Sequence, residues 1–157
     1  MGDFIVRNAK LEDLAILLEF EQGVIKAERP FDPTLAEDPI SYYDISEMIK
    51  ASDATVVVVE HDAQVIASGY AKIKKARHYL DHEFYAYLGF MFTRVEFRGM
   101  GVNKLVVDEL QKWSVSKGIK EVRLTVYDEN VAAIRAYEKV GFKKHLIEMR
   151  LTDFEDI

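Results

Sequence analysis

FRGMGVNKL, Phe97 to Leu105, sets an arginine, two glycines separated by one residue and an asparagine at the mouth of an apolar-periodic run. Glycine in a helix interior costs roughly 0.5–1 kcal/mol relative to alanine, so a pair of them needs a reason. Downstream, Val102, Leu105, Val106, Leu110 and Trp113 recur at i, i+3, i+4 spacing, which predicts an amphipathic helix over Gly101–Lys117, ended by Gly118. Upstream, the aromatic-rich Phe84–Thr93 reads as a long strand. A strand, a glycine-rich turn and a helix start together form a phosphate-binding layout. The first helical turn leaves four backbone N–H groups without partners, the macrodipole adds about half a positive charge, and a missing Cβ permits close approach. Arg98 and Lys104 add a cation at each end. The stretch is neither a P-loop, which needs Gly-Lys-Ser/Thr, nor a G-x-G-x-x-G fingerprint, because Lys104 stands third after Gly101.

The remaining elements follow from periodicity. Phe4–Arg7 reads as a short strand, Leu11–Lys26 and Ser41–Ala51 as helices, and the intervening ERPFDPTLAEDP, which holds all three prolines, as a loop. Thr55–Glu60 and Gln64–Lys74 read as strands joined by a tight turn. Val122–Val126 is a buried-type strand, Asn130–Lys139 a short helix closed by Gly141, and Phe142–Leu151 a last strand. The order is β-α-α-β-β-β-α-β-α-β.

Composition narrows the classes of function. The 157 residues, 49% hydrophobic and 31% charged, suit one globular domain over 1–157, with no repeat or linker. No cysteine occurs, which excludes disulfides, thiolate metal sites and a cysteine nucleophile and suits the reducing cytoplasm. No signal peptide is read at the N-terminus, and apolar runs such as Val56–Val59 are far too short to span a membrane. Residues 1–60 carry 13 acidic and 5 basic side chains and residues 61–157 carry 14 and 16, so the net charge of −6 divides into −8 and +2. The first half would repel nucleic acid, while the second suits a phosphorylated ligand.

A second motif, NVAAIRAYEKVGF from Asn130 to Phe142, starts 32 residues after Arg98. With R-G-x-G opening the preceding helix and with this element order, the chain resembles the GNAT superfamily of acetyl-CoA-dependent N-acetyltransferases. The resemblance implies a mixed, mostly antiparallel central sheet flanked by helices. The family's loop pattern, Arg/Gln-x-x-Gly-x-Gly/Ala, is matched by Arg98, Gly99, Met100, Gly101 and Val102. Asn103 departs from it, and either crowds the phosphate or donates an amide hydrogen bond to it.

The resemblance further implies that backbone from Gly99 to Lys104 holds the pyrophosphate of coenzyme A. Main chain of Met91, Phe92 and Thr93 would pair with the pantetheine arm, with an N–H near Phe92 facing the thioester carbonyl. Asn130 and Ala133 would meet the pantetheine from the short helix; asparagine is also a good helix N-cap. Tyr137 would be the general acid for the departing thiolate, leaving coenzyme A as product, or else an aromatic packed on the helix. Glu83 and Tyr85 are candidates for handling the amine proton, and His78 and His82 read as surface histidines. Glu28, Phe31, Asp32, Tyr42 and Tyr43 are candidates for an acceptor site suited to a cationic amine. No metal, membrane or nucleic-acid partner is expected, and a homodimer is compatible with the resemblance. A non-catalytic acyl-CoA sensor on the same fold is the alternative.

Overall fold

The computed structural model describes residues 3–152. Its centre is a five-stranded sheet in the order β1-β2-β3-β4-β5. The strands are β1 (Phe4–Asn8), β2 (Ala54–His61), β3 (Gln64–Lys75), β4 (Phe84–Thr93) and β5 (Val122–Arg123). Neighbours from β1 to β4 are antiparallel, and β4 and β5 are parallel. Helix α1 (Leu14–Glu28) and the six-residue α2 (Ile45–Lys50) lie between β1 and β2. Helix α3 (Val102–Ser116) connects β4 to β5, and α4 (Val131–Lys139) follows.

The run of four valines in β2 is buried on both faces, as a two-sided core strand requires. Val56 and Val58 join Leu17, Phe20, Met48 and Phe90 on the side of α1 and α2. Val57 and Val59 join Ile66, Leu88, Val106 and Leu110 on the side of α3. Helices α1, α2 and α3 therefore each bury an apolar stripe, and the sheet stays flanked by helices as expected.

Three element boundaries differ from the reading of the sequence. The helix expected over Ser41–Ala51 begins only at Ile45, because the Asp44 side chain accepts from the Glu47 N–H at 3.1 Å and caps it there. The backbone N–H groups of Tyr42 and Tyr43 are meanwhile drawn to the buried Glu21 carboxylate, at 2.9 and 2.8 Å. Strand β5 pairs only at Ala86–Val122 and Tyr87–Arg123 before it leaves β4. The last strand expected over Phe142–Leu151 is absent. This stretch is in no ladder, since β5 pairs only with β4 among the described residues.

Candidate active site

Two departures from regular geometry build the site. The first is the divergence of β4 from β5 after Tyr87 and Arg123. Beyond that point β4 continues to Thr93 while 124–127 leaves the ladder, and a wedge opens between them. Its narrow end is bridged by the Tyr87 and Thr125 hydroxyls, 2.6 Å apart.

The second departure is a bulge in β4. Ser68 pairs with Phe92 and Tyr70 with Gly89, so Phe90 and Met91 together oppose Gly69. Phe90 takes φ +58°, a strained conformation for a bulky residue that costs on the order of 1–3 kcal/mol. Its ring is 2% exposed and packs against Tyr43, and its carbonyl accepts from the Ser68 hydroxyl at 3.1 Å; both offset the strain. The bulge turns Met91, Phe92 and Thr93 relative to the rest of β4, beside the open wedge.

The glycine loop stands at the wide end. Gly99 and Gly101 have φ of +77° and +80°, and a Cβ on either would meet nothing within 4 Å. The protein has left this space clear, so the cradle fits a pyrophosphate that approaches backbone. Gly101 is the N-cap of α3, and the N–H groups of Val102, Asn103 and Lys104 follow it on the first turn. Arg98 folds back and donates from Nε to the Thr93 carbonyl at 3.1 Å, tying the loop to the end of β4. Lys104 pairs with Asp108 at 2.7 Å across one helical turn, with its ammonium still largely exposed. Met100 is exposed at the loop's tip.

Helix α4 borders the wedge. The Asn130 side chain accepts from the Ala133 N–H at 3.2 Å, so the asparagine caps the helix and its NH2 group stays available as a donor. Ala133 accordingly has no free N–H to offer. Tyr137 meets Phe142 edge to face at 5.8 Å. Burial first, then the Glu28 carboxylate and Tyr87, push its pKa up to about 12, so it stays protonated at neutral pH.

Glu28 is the carboxylate the fold brings into the electrostatic reach of Tyr137. It lies at the end of α1, half-buried, and acts electrostatically on the hydroxyls of Tyr42, Tyr43, Tyr127 and Tyr137. Burial raises its own pKa above the ordinary 4.5, with a partly opposing pull from Tyr42 and a further push from Asp32. The Tyr42 hydroxyl is buried and falls outside hydrogen-bond geometry with the described residues, Glu28 included.

The other acceptor candidates divide. Phe31 stacks on Tyr127 at 6.1 Å. Asp32 is not a free anion: it accepts from Tyr127 at 3.0 Å, from Arg150 at 3.3 Å and from the Thr34 backbone at 2.9 Å, and Thr34's hydrogen bonds foremost hold its pKa down at about 2. Tyr43 is a core residue, with its ring 5.3 Å from those of Tyr70 and Phe90.

Glu83 and Tyr85 are not brought to the site. Glu83 stands just before β4 and Tyr85 is its second residue, and at about 3.3 Å per residue the path from either to Phe92 exceeds 20 Å. Glu83 is exposed, and Tyr85 lies under the Arg123 guanidinium at 3.9 Å. His82 instead bridges Asp81 and Glu121, at 2.8 and 2.5 Å. A hollow of about 410 Å³ beside α2, lined by Tyr42, Asp53, Tyr70 and Lys72 among others, takes no wall from the wedge or the glycine loop. Sequence reasoning missed Tyr127, whose only signal was its place between strand and helix, and the bulge at Phe90, which no residue type marks. Among the described residues no helix is long and apolar enough to cross a membrane.

The profile of the Acetyltransferase (GNAT) family matches residues 21–142, and the chain belongs to that family. No curated protein matches it in sequence. Among solved structures it is similar to a predicted acetyltransferase with acetyl-CoA from Clostridium acetobutylicum, at 18% identity and TM-score 0.74 over 96% of each chain. It is similar also to glucosamine-6-phosphate N-acetyltransferase from Arabidopsis thaliana, at 22% identity and TM-score 0.69 over 98% of this chain and 99% of that one. A third is the aminoglycoside N-acetyltransferase AAC(6')-Iy in complex with CoA, at 19% identity and TM-score 0.73 over 98% and 97%. At such identities the likeness is one of fold.

Proposed function

We propose that the chain, as one N-acetyltransferase domain, moves an acetyl group from acetyl-CoA directly to the amine of a cationic acceptor. The observation that carries this reading is the open wedge between β4 and β5, with an unobstructed glycine cradle at its mouth. Backbone of Gly99 to Lys104 would hold the pyrophosphate, Met91 to Thr93 would pair with the pantetheine arm, and the Asn130 amide would donate to it. Acetyl-CoA, when bound, supplies an activated acyl carbon.

The chain's own residues then manage charge and protons. Glu28 attracts the ammonium and takes its proton, directly or through water, since its raised pKa brings it nearer the working range of a base. A backbone N–H near Phe92 donates to the thioester carbonyl. Tyr137 donates its O–H to the sulfur as the carbon–sulfur bond breaks. Because its pKa of about 12 exceeds that of a thiol, near 8.5, it acts foremost as a hydrogen-bond donor that is recharged from the amine proton. From ammonium to amide the nitrogen loses two protons: the first passes through Glu28 to solvent before attack, and the second offsets the proton that the sulfur gains. The transfer therefore balances with release of one proton. The missing cysteine argues for direct transfer and suits a cytoplasmic setting.

The test is thiol release from acetyl-CoA across a panel of polyamines, aminoglycosides, amino acids and peptide N-termini, beside thermal shift with coenzyme A. We expect thiol release that depends on an added amine, and a raised melting temperature. No shift at saturating coenzyme A would overturn the cofactor assignment. A shift without turnover on any amine would make the chain an acyl-CoA sensor.

A further inference from the structure

Glu21 carries a charge where the pattern of α1 asks for an apolar side chain. It is 1% exposed, and its helical neighbours Leu17, Val24 and Ile25 are all core. A carboxylate in such a stripe is costly unless hydrogen bonds satisfy it. Here one oxygen accepts from two consecutive backbone N–H groups, Tyr42 at 2.9 Å and Tyr43 at 2.8 Å. Those residues lie in no helix or strand, and among the described residues no backbone carbonyl takes their N–H groups. The next helical residue, Gln22, donates from Nε2 to the Ile40 carbonyl at 3.0 Å. Two adjacent side chains of α1 thus hold 40–43 much as a neighbouring strand would, one accepting and one donating.

Two turns further along the same face of α1 stands Glu28. The Tyr43 ring is seated in the core against Tyr70 and Phe90, so its bond to Glu21 fixes how the segment lies on the helix. The Tyr42 ring, edge-on to Tyr43 at 5.5 Å, then brings its hydroxyl under the influence of the Glu28 carboxylate. We propose that Glu21 is a positioning residue for the acceptor: it holds the Tyr42 backbone so that the phenol ring walls the site beside Glu28. This role rests on the reading of Glu28 as the group that receives the amine. Glu21 itself reaches neither substrate nor cofactor, being buried under the 42–43 backbone.

The test uses whichever amine of the panel the parent acetylates fastest, with Glu21→Gln and Glu21→Leu. Glutamine keeps an acceptor oxygen without the charge, and leucine keeps the bulk without an acceptor. For the amine, kcat/KM should fall about tenfold in Glu21→Gln and about 10²-fold in Glu21→Leu. Coenzyme A affinity by calorimetry should stay within about twofold. In a Tyr42→Ala background Glu21→Gln should remove less than about twofold more, as two residues acting in series require. Amide exchange at Tyr42 and Tyr43 should quicken from the parent to Glu21→Gln to Glu21→Leu, while β2 keeps its protection. Full additivity with Tyr42→Ala, or unchanged exchange at the two amides, would overturn the role. An equal loss of coenzyme A affinity would mark a general structural effect and overturn it too. If Glu21→Leu fails to fold, Glu21→Gln decides alone. A parent that turns over no amine overturns the proposed function and this role together, whereas a working parent with indifferent variants overturns this role only.

Discussion

The Phe92 ring rests on Gly23, the only residue of α1 without a side chain, and stacks on Phe20 with 4.6 Å between centroids. The end of β4 is thereby seated on the helix whose last residue is Glu28. A Cβ at Gly23 would stand 2.6 Å from Phe92 Cε2, so the ring must move. Gly23→Ala gains about 1 kcal/mol of helix propensity and loses about 1–3 kcal/mol to overpacking. We expect a lower melting temperature and weaker coenzyme A binding by calorimetry. A more stable variant with unaltered affinity would show that Phe92 does not position the site.

Gly101→Val tests the cradle. A Cβ there meets no protein atom within 4 Å, so the expected cost to folding is the strain of φ +80°, about 1–3 kcal/mol. Gly101 is an N-cap in the left-handed region, so no helix propensity is gained in return. Coenzyme A binding should weaken more than tenfold in a sample still folded by circular dichroism. Binding as tight as the parent's would remove the pyrophosphate from this loop.

Tyr137→Phe keeps the ring against Phe142 and deletes the hydroxyl. Turnover should fall by about 10²–10⁴-fold with little change in coenzyme A affinity. An unchanged rate, with chemistry shown to be the slow step, would leave the tyrosine a packing role.

Glu28→Gln should lower kcat/KM for a cationic amine by about 10²-fold or more. In the parent, the acidic limb of the pH–rate profile should fall above the ordinary carboxylate range, because burial raises this group's pKa. The variant should lose that limb. A variant retaining both rate and limb would point to another base.

His82 makes stability depend on pH. Asp81, then Glu121, raise its pKa above the ordinary 6.5, so its contribution is full below that value and lost as pH rises through the higher folded value. Arg123 foremost lowers the Glu121 pKa from 4.5, and His82 that of Asp81 from 3.8, so those contributions fade only as pH falls through the lowered values. The melting temperature of the parent minus that of His82→Gln should be largest near pH 5.5 and shrink toward pH 8. A difference independent of pH would sink the account.

Much of this was legible in the residues. Gly99 and Gly101 announced the left-handed turns before α3, because glycine tolerates that backbone, and Asn130 announced a cap. The valine run gave the two-sided strand. Periodicity could not show the bulge, because Phe90 adopts its conformation through packing by Tyr43 and a hydrogen bond from Ser68, both remote in sequence. Alternation put Glu83 on a strand face but said nothing of which end of the strand diverges from β5, and Glu83 stands at the paired end. Glu28 was legible as a candidate for the acceptor site, while its electrostatic coupling to Tyr137 is made by the fold. The last strand was misread because alternation describes a chain able to pair and not the partner it pairs with.

Helix α4 has no buried residue among its nine, and β5 holds to the sheet through two paired positions. The chain from β5 onward should therefore open at lower cost than β1 to β4, whose valines and Phe90 lie in the core. Its amides should exchange with deuterated solvent through sub-global opening, far faster than those of β2 and β3. Any ligand that spans the wedge spans the seam between these two parts, so part of its binding energy is spent as slower exchange across α4.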